Sequence, residues 1–127
     1  MTQQEKDILL KDLCGRLFYK VKFIDILNPK EHPLTLQSID ADGLVMATDG
    51  FSFEFENIKP YLFPLSSMTE EQKEEYCQLQ QKIIYNSKGV VNDDITEYIN
   101  WCYKKHLDIN DIISKGLAID ATNKNIY

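Results

Sequence analysis

The stretch IKPYLFPLSSMTEEQKEEY, residues 58–76, decides how the chain divides. Its first part sets Pro60 and Pro64 among Ile58, Tyr61, Leu62 and Phe63, and its second is a run of charged residues. Proline has no amide to give a sheet ladder, so residues 58–68 read as a crossover from a sheet on the N-terminal side to helices on the C-terminal side. Thr69 with Gln72 makes a capping-box pattern, and Glu70 and Glu71 fall in the first turn, where the helix dipole favours negative charge. A helix is expected from there, burying Tyr76, Leu79 and Ile83 and ending near residues 86–89.

Upstream, Thr2 with Glu5 is a second capping box, Ile8, Leu9 and Leu13 recur at helical spacing, and Gly15 is expected to stop this first helix. From Leu17 the period changes to two: Tyr19, Val21 and Phe23 share one face and Lys20 and Lys22 the other. After the NPKEHP loop comes a second strand, LTLQSI. The turn signals Asp42-Gly43 and Asp49-Gly50 bracket a short third strand, LVMAT, and in FSFEFE the residues Phe51, Phe53 and Phe55 alternate with Ser52, Glu54 and Glu56. The expected sheet is a four-stranded antiparallel meander with a phenylalanine-rich inner face. It curls toward a small barrel if its first and last strands meet, which would set Lys20 and Lys22 opposite Glu54 and Glu56.

Downstream, a second long helix is expected after Asn92 or Asp93, burying Ile95, Ile99 and Cys102 and ending with Lys104, Lys105 and His106. Asp108 is expected to cap a last short helix that Gly116 stops, and the tail 117–127 is left open between extended and irregular. The fold class is therefore α+β: an N-terminal helix, the meander, then two longer helices and a short C-terminal one packed on the sheet. The chain reads as a single domain, 1–127, divided into helix plus sheet (1–57), crossover (58–68), helical part (69–116) and tail (117–127).

Composition narrows the function. A chain of 127 residues supports one core, and 43% hydrophobic with 27% charged residues is ordinary for a globular domain. No apolar run approaches the roughly 20 residues that span a bilayer, and the start has no signal-peptide pattern, so a cytoplasmic protein is expected. Three cysteines at wide spacings fit buried thiols rather than a disulfide framework. The net charge of −6 is even: residues 1–68 hold ten acidic and seven basic residues, and residues 69–127 hold the same. That balance disfavours nucleic acid and anionic membrane as partners, since both need a basic footprint.

Cys102 and His106, four apart on one helix, have the spacing of a nucleophile–base pair or of two metal ligands, yet they continue the Ile95–Ile99 stripe and read as core packing. Asp40, Asp42 and Gly43 look like the start of a calcium loop but lack its later ligands, and a hairpin turn accounts for them. No metal or cofactor is expected. With five glycines, no phosphate-cradling loop and no nucleophile elbow, enzymatic activity is not favoured. Trp101 lies about 120° around its helix from the Ile95 stripe, at roughly 100° per residue, so it packs against another element or faces outward.

The segments KDLCGRL, IKPYLFPLSSMTEEQ and the late HLD to GLAIDAT together resemble a family of uncharacterised proteins of gut bacterial genomes and their phages and prophages. The match covers nearly the full chain, with residues 59–69 its most distinctive part. The resemblance implies a mobile-element setting and no reaction. The leading expectation is a small non-catalytic module that binds another protein, with Tyr61, Phe63, Trp101 and Tyr103 as candidate contacts because aromatic anchors dominate interfaces. The alternatives are an acidic nucleic-acid mimic that blocks a DNA- or RNA-binding protein, and an enzyme using Cys102 and His106.

Overall fold

A computed structural model of the protein describes residues 1–30, 32–85 and 92–127. Its six-stranded mixed sheet has the order β4 (Ser52–Glu54), β3 (Leu44–Ala47), β2 (Leu34–Ile39), β1 (Lys22–Asp25), β5 (Ile58–Leu62), β6 (Ile119–Asp120). Every pairing is antiparallel except β5 with β6. Residues 58–62 are thus an interior strand, which corrects the crossover reading of 58–68. Pro60 fits there for a local reason. The Ile26 amide donates to the Asn57 carbonyl at 2.9 Å, so the rungs 26/57 and 24/59 are the hydrogen-bonded ones and the rung Phe23/Pro60 is not. The proline nitrogen points away from β1, toward the side where β6 begins pairing one residue later, at Tyr61 opposite Ile119. No rung is lost.

The sheet is open rather than a barrel, with β4 and β6 as its edges. β1 lies between β2 and β5, so Lys22 does not face Glu54, and Lys20 sits before the strand with φ 55°. Glu56 instead meets Lys6 at 3.3 Å. The open sheet is nevertheless strongly curled. In a flat sheet β4 and β5 would stand about 19 Å apart, at about 4.8 Å per strand. The four residue steps from Glu54 to Ile58 reach at most about 14 Å.

Helix α1, Gln3–Arg16, starts at the expected capping box, with Thr2 and Glu5 exchanging both bonds. It continues through Gly15 instead of stopping there. A Cβ on Gly15 would lie 2.5 Å from Cε2 of Tyr103, so the glycine serves close packing. Residues Leu17–Tyr19 form a 3-10 turn, which takes Tyr19 out of the strand face; Val21 and Phe23 are buried as expected. The phenylalanine face is also corrected. Phe53 alone of the three lies in β4, Phe55 is buried in a 3-10 turn at Phe55–Asn57, and Phe51 is 68% exposed.

Helices α2, Glu70–Tyr85, and α3, Asn92–Lys104, pack on each other, and the box at Thr69 and Gln72 is formed. The helix end expected at residues 86–89 lies outside the described residues. Ile95 is exposed, whereas Leu79 and Cys102 are buried. α3 stops at Lys104. Amides of His106 and Leu107 donate to the carbonyls of Tyr103 and Cys102, both at 3.0 Å, closing a Schellman motif with His106 at φ 58° where glycine is usual. Asp108 does accept from the amides of Ile112 and Ile113, at 2.9 Å each, but caps a turn and not a helix; Gly116, φ 73°, ends it. The tail is in part extended, as β6. Leu9 and Leu13 of α1, the inner face of the sheet and Ile112 and Leu117 form one core cluster. Among the described residues no helix is long and apolar enough to cross a membrane.

Candidate functional site

Because β2 runs antiparallel to both β1 and β3, the turn that leaves β1 at residues 26–30 and the hairpin at residues 48–51 lie at one end of the sheet. An aspartate holds the first residues of each. Asp25 Oδ1 accepts from the Leu27 amide at 3.0 Å, and Asp49 Oδ1 accepts from the Phe51 amide at 3.0 Å, while Gly50 supplies the φ of 92° that the tight turn needs. At that end lies a cleft of about 370 Å³ lined by Asp25, Asn28, His32, Asp49, Phe51 and Phe53. Phe51 is exposed, and Leu27, next in the chain to Asn28, is 74% exposed. The cleft therefore sets the rings of Phe51 and Phe53 beside two carboxylates, those of Asp25 and Asp49.

The four aromatic residues singled out in the sequence are dispersed. Tyr61 is 7% exposed within β5, and burial raises the pKa of its hydroxyl. Phe63 is half-buried and adjoins Tyr127, with ring centroids 5.8 Å apart. Trp101 is half-buried between the helices, where its Nε1 donates to Glu75 at 2.9 Å and its ring lies 6.3 Å from that of Tyr76. Tyr103 is half-buried against Gly15, with the Arg16 guanidinium 4.7 Å from its ring centre. None of the four lies in the cleft. Phe51, Leu27 and the 90% exposed Phe18 were missed as candidates. Phe51 carried a signal, because it directly follows the Asp49-Gly50 turn and so stands at the tip of the hairpin, where its carbonyl closes the turn by accepting from the Ala47 amide.

Cys102 and His106 are not arranged as a reactive pair. Cys102 is fully buried and burial pushes its thiol up to about 11, away from the thiolate. His106 is held down at about 4 by burial and then by the charges of Arg16 and Lys22, so it is neutral at pH 7. Beneath it lies a fully buried ion pair: Arg16 Nε and Nη2 donate to Asp12 at 2.7 and 3.1 Å, and Nη2 also donates to the Leu107 carbonyl at 2.7 Å. Asn110 adds a bond to Asp12 at 2.9 Å. Among the described residues no group of three or more His, Cys, Asp or Glu is placed to hold a metal ion.

Fold and cleft together define an α+β domain with an aromatic, acid-flanked cleft at one end of its sheet. The chain matches no family model, no curated protein and no solved structure.

Proposed function

We propose that the protein is a small non-catalytic module that binds another protein through the cleft lined by Asp25, Asn28, His32, Asp49, Phe51 and Phe53. The observation that carries this reading is the exposed Phe51 lining a cleft together with the half-buried Phe53. A large aromatic side chain left in water beside polar groups is the usual composition of an interface anchor. The two carboxylates would favour a partner with basic residues beside an apolar one. The mobile-element setting belongs to the same proposal and rests on the resemblance of residues 59–69 and of the late Gly116 to Thr122 segment. The acidic-mimic reading has less support, because exposed acids of the helices are interleaved with cations, Glu70 with Lys73 at 3.3 Å and Glu97 with Lys82 at 3.5 Å.

The test is partner capture with the wild-type chain, Phe51→Ser and Leu27→Ser as parallel baits. Loss of the same captured protein from both variants, at unchanged melting temperature, is expected. Full capture by Phe51→Ser would remove the cleft from the interface.

A further inference from the structure

Along the edge of β5 that faces β1, the backbone groups are taken in a fixed order. Residues 57 and 59 pair with β1, as the 26/57 and 24/59 rungs show. Beyond Pro64's side of the strand, the Phe63 amide donates to the His106 carbonyl at 2.8 Å and the Phe63 carbonyl accepts from the Asp108 amide at 2.9 Å. Between these lies the rung Lys22/Tyr61, in which a side chain joins the Lys22 amide to the Tyr61 carbonyl. The Tyr127 hydroxyl accepts from the Lys22 amide at 2.8 Å and donates to the Tyr61 carbonyl at 2.7 Å.

The ring of Tyr127 is held as specifically as its hydroxyl. It stacks on the His106 ring with centroids 3.7 Å apart and 13° between planes, and Phe63 stands on another side. Tyr127 as a residue is 44% exposed, yet burial raises the pKa of its hydroxyl strongly. Elements that do not need the tail build this socket. Lys22 is fixed in β1, Tyr61 in β5, and His106 by the Schellman motif and by its carbonyl bond to Phe63. Among the described residues the Nδ1 of His106 is buried without a hydrogen-bond partner.

The tail itself is lightly tied. After the Ala121 amide bonds to Leu62, hydrogen bonds to the rest of the protein among the described residues are those of the Tyr127 hydroxyl; Thr122 and Lys124 bond only within the tail. Asn123 and Asn125 sit at φ 62° and 53°, the left-handed region that asparagine tolerates better than most side-chain-bearing residues. If the tail lifts, the Lys22 amide and the Tyr61 carbonyl are left facing one gap, at the spacing that one hydroxyl bridges.

We propose that this gap is a recognition socket for a tyrosine side chain of a partner protein, kept closed in cis by Tyr127. The donor and acceptor select a phenol over a plain phenyl ring, and His106 and Phe63 select an aromatic ring over an aliphatic hydroxyl. A partner tyrosine competes with a tail whose effective concentration is in the millimolar range, so closure sets the threshold for binding.

The probe is a synthetic peptide of residues 120–127, DATNKNIY, and the same peptide ending in phenylalanine, titrated to a few millimolar into the Tyr127→Ala chain by amide NMR. Saturable shifts at Lys22 and Leu62 are expected with the tyrosine peptide, at least tenfold weaker binding with the phenylalanine peptide, and at least tenfold weaker binding of the tyrosine peptide by the wild-type chain. Equal binding of the two peptides, equal binding by wild type and variant, or no saturable shift at Lys22 overturns the proposal. Should Tyr127→Ala fail to fold, Tyr127→Phe decides: hydrogen exchange of the Lys22 amide should rise at least tenfold while that of Ile24 is unchanged, and an unchanged Lys22 amide overturns the socket.

Discussion

The rings of Phe23 and Phe53 meet edge to face with centroids 5.6 Å apart and planes at 76°, although two strands separate β1 from β4. That contact is possible because the open sheet wraps around its own inner face. Phe23 is fully buried, so Phe23→Ala is expected to cost about 3–5 kcal/mol, and Phe53→Ala, half-buried, about half of that. Urea midpoints measure both. A loss below about 1 kcal/mol for Phe23→Ala would mean that the wrapped core is not formed.

The Asp12–Arg16 pair is fully buried, which makes it costly to break and of little net worth when whole. Asp12→Ala leaves the guanidinium in the interior with the Leu107 carbonyl and is expected to cost about 3–5 kcal/mol. The joint replacement Asp12→Leu with Arg16→Met is expected to cost less than Asp12→Ala alone, because it removes both charges and leaves apolar volume in place. If the double variant is the less stable one, the pair contributes a net attraction that this reading denies it.

Stability should fall in mild acid through His106. Its folded pKa is depressed to about 4, against an unperturbed 6.5. Between those values the unfolded chain takes up a proton that the folded chain refuses. Stability is therefore present in full above pH 6.5, declines as pH drops toward 4, and levels off below it with respect to this group, by at most about 3 kcal/mol. His106→Asn keeps a residue that tolerates the left-handed backbone and removes the titration. Its urea midpoint should be flatter between pH 6.5 and 4 than the wild-type one; parallel curves would show that His106 is not shielded.

Cys14 and Cys77 are exposed and Cys102 is buried. With its thiol pushed up to about 11, Cys102 should resist alkylation at pH 8 while the other two react. Mass spectrometry after brief iodoacetamide treatment should find two adducts on the native protein and three on the unfolded one. A third native adduct would place Cys102 within reach of solvent.

Elements whose signals are local were legible in the sequence. The capping boxes at Thr2 and Thr69 formed as read, and so did the two Asp-Gly turns, because each depends on residues within four of one another. Where the structure departs, a distant partner decides. Pro60 reads as a sheet breaker unless it is known that β1 presents a non-hydrogen-bonded rung to it and that β6 begins one residue later. Gly15 reads as a helix stop unless Tyr103 is known to lie on it. The cleft was hidden for the same reason, since Asp25 and Phe51 belong to different strands and only the register of β2 brings their loops together. The Tyr127 bridge joins residues 105 and 66 positions apart.

Gly15 gives the sharpest test of the packing between α1 and α3. A helical glycine replaced by alanine ordinarily gains about 1 kcal/mol. Here the new methyl would stand 2.5 Å from Cε2 and 2.8 Å from Cζ of Tyr103, well inside contact distance. The ring could escape such a clash only by moving, and it is held: Arg16 lies over it at 4.7 Å, and its hydroxyl is 3.3 Å from Asn110 Nδ2. Arg16 is in turn fixed by Asp12 and the Leu107 carbonyl. Overpacking of this kind costs about 1–3 kcal/mol, which outweighs the helix gain, so Gly15→Ala is expected to destabilise the wild-type chain by up to about 2 kcal/mol. In a Tyr103→Ala background the obstacle is gone and the same substitution should stabilise by about 1 kcal/mol. The change of sign in a double-mutant cycle is the measurement. If Gly15→Ala has the same sign in both backgrounds, the Tyr103 ring does not rest on Gly15, and the support it lends to the Arg16 guanidinium goes with it.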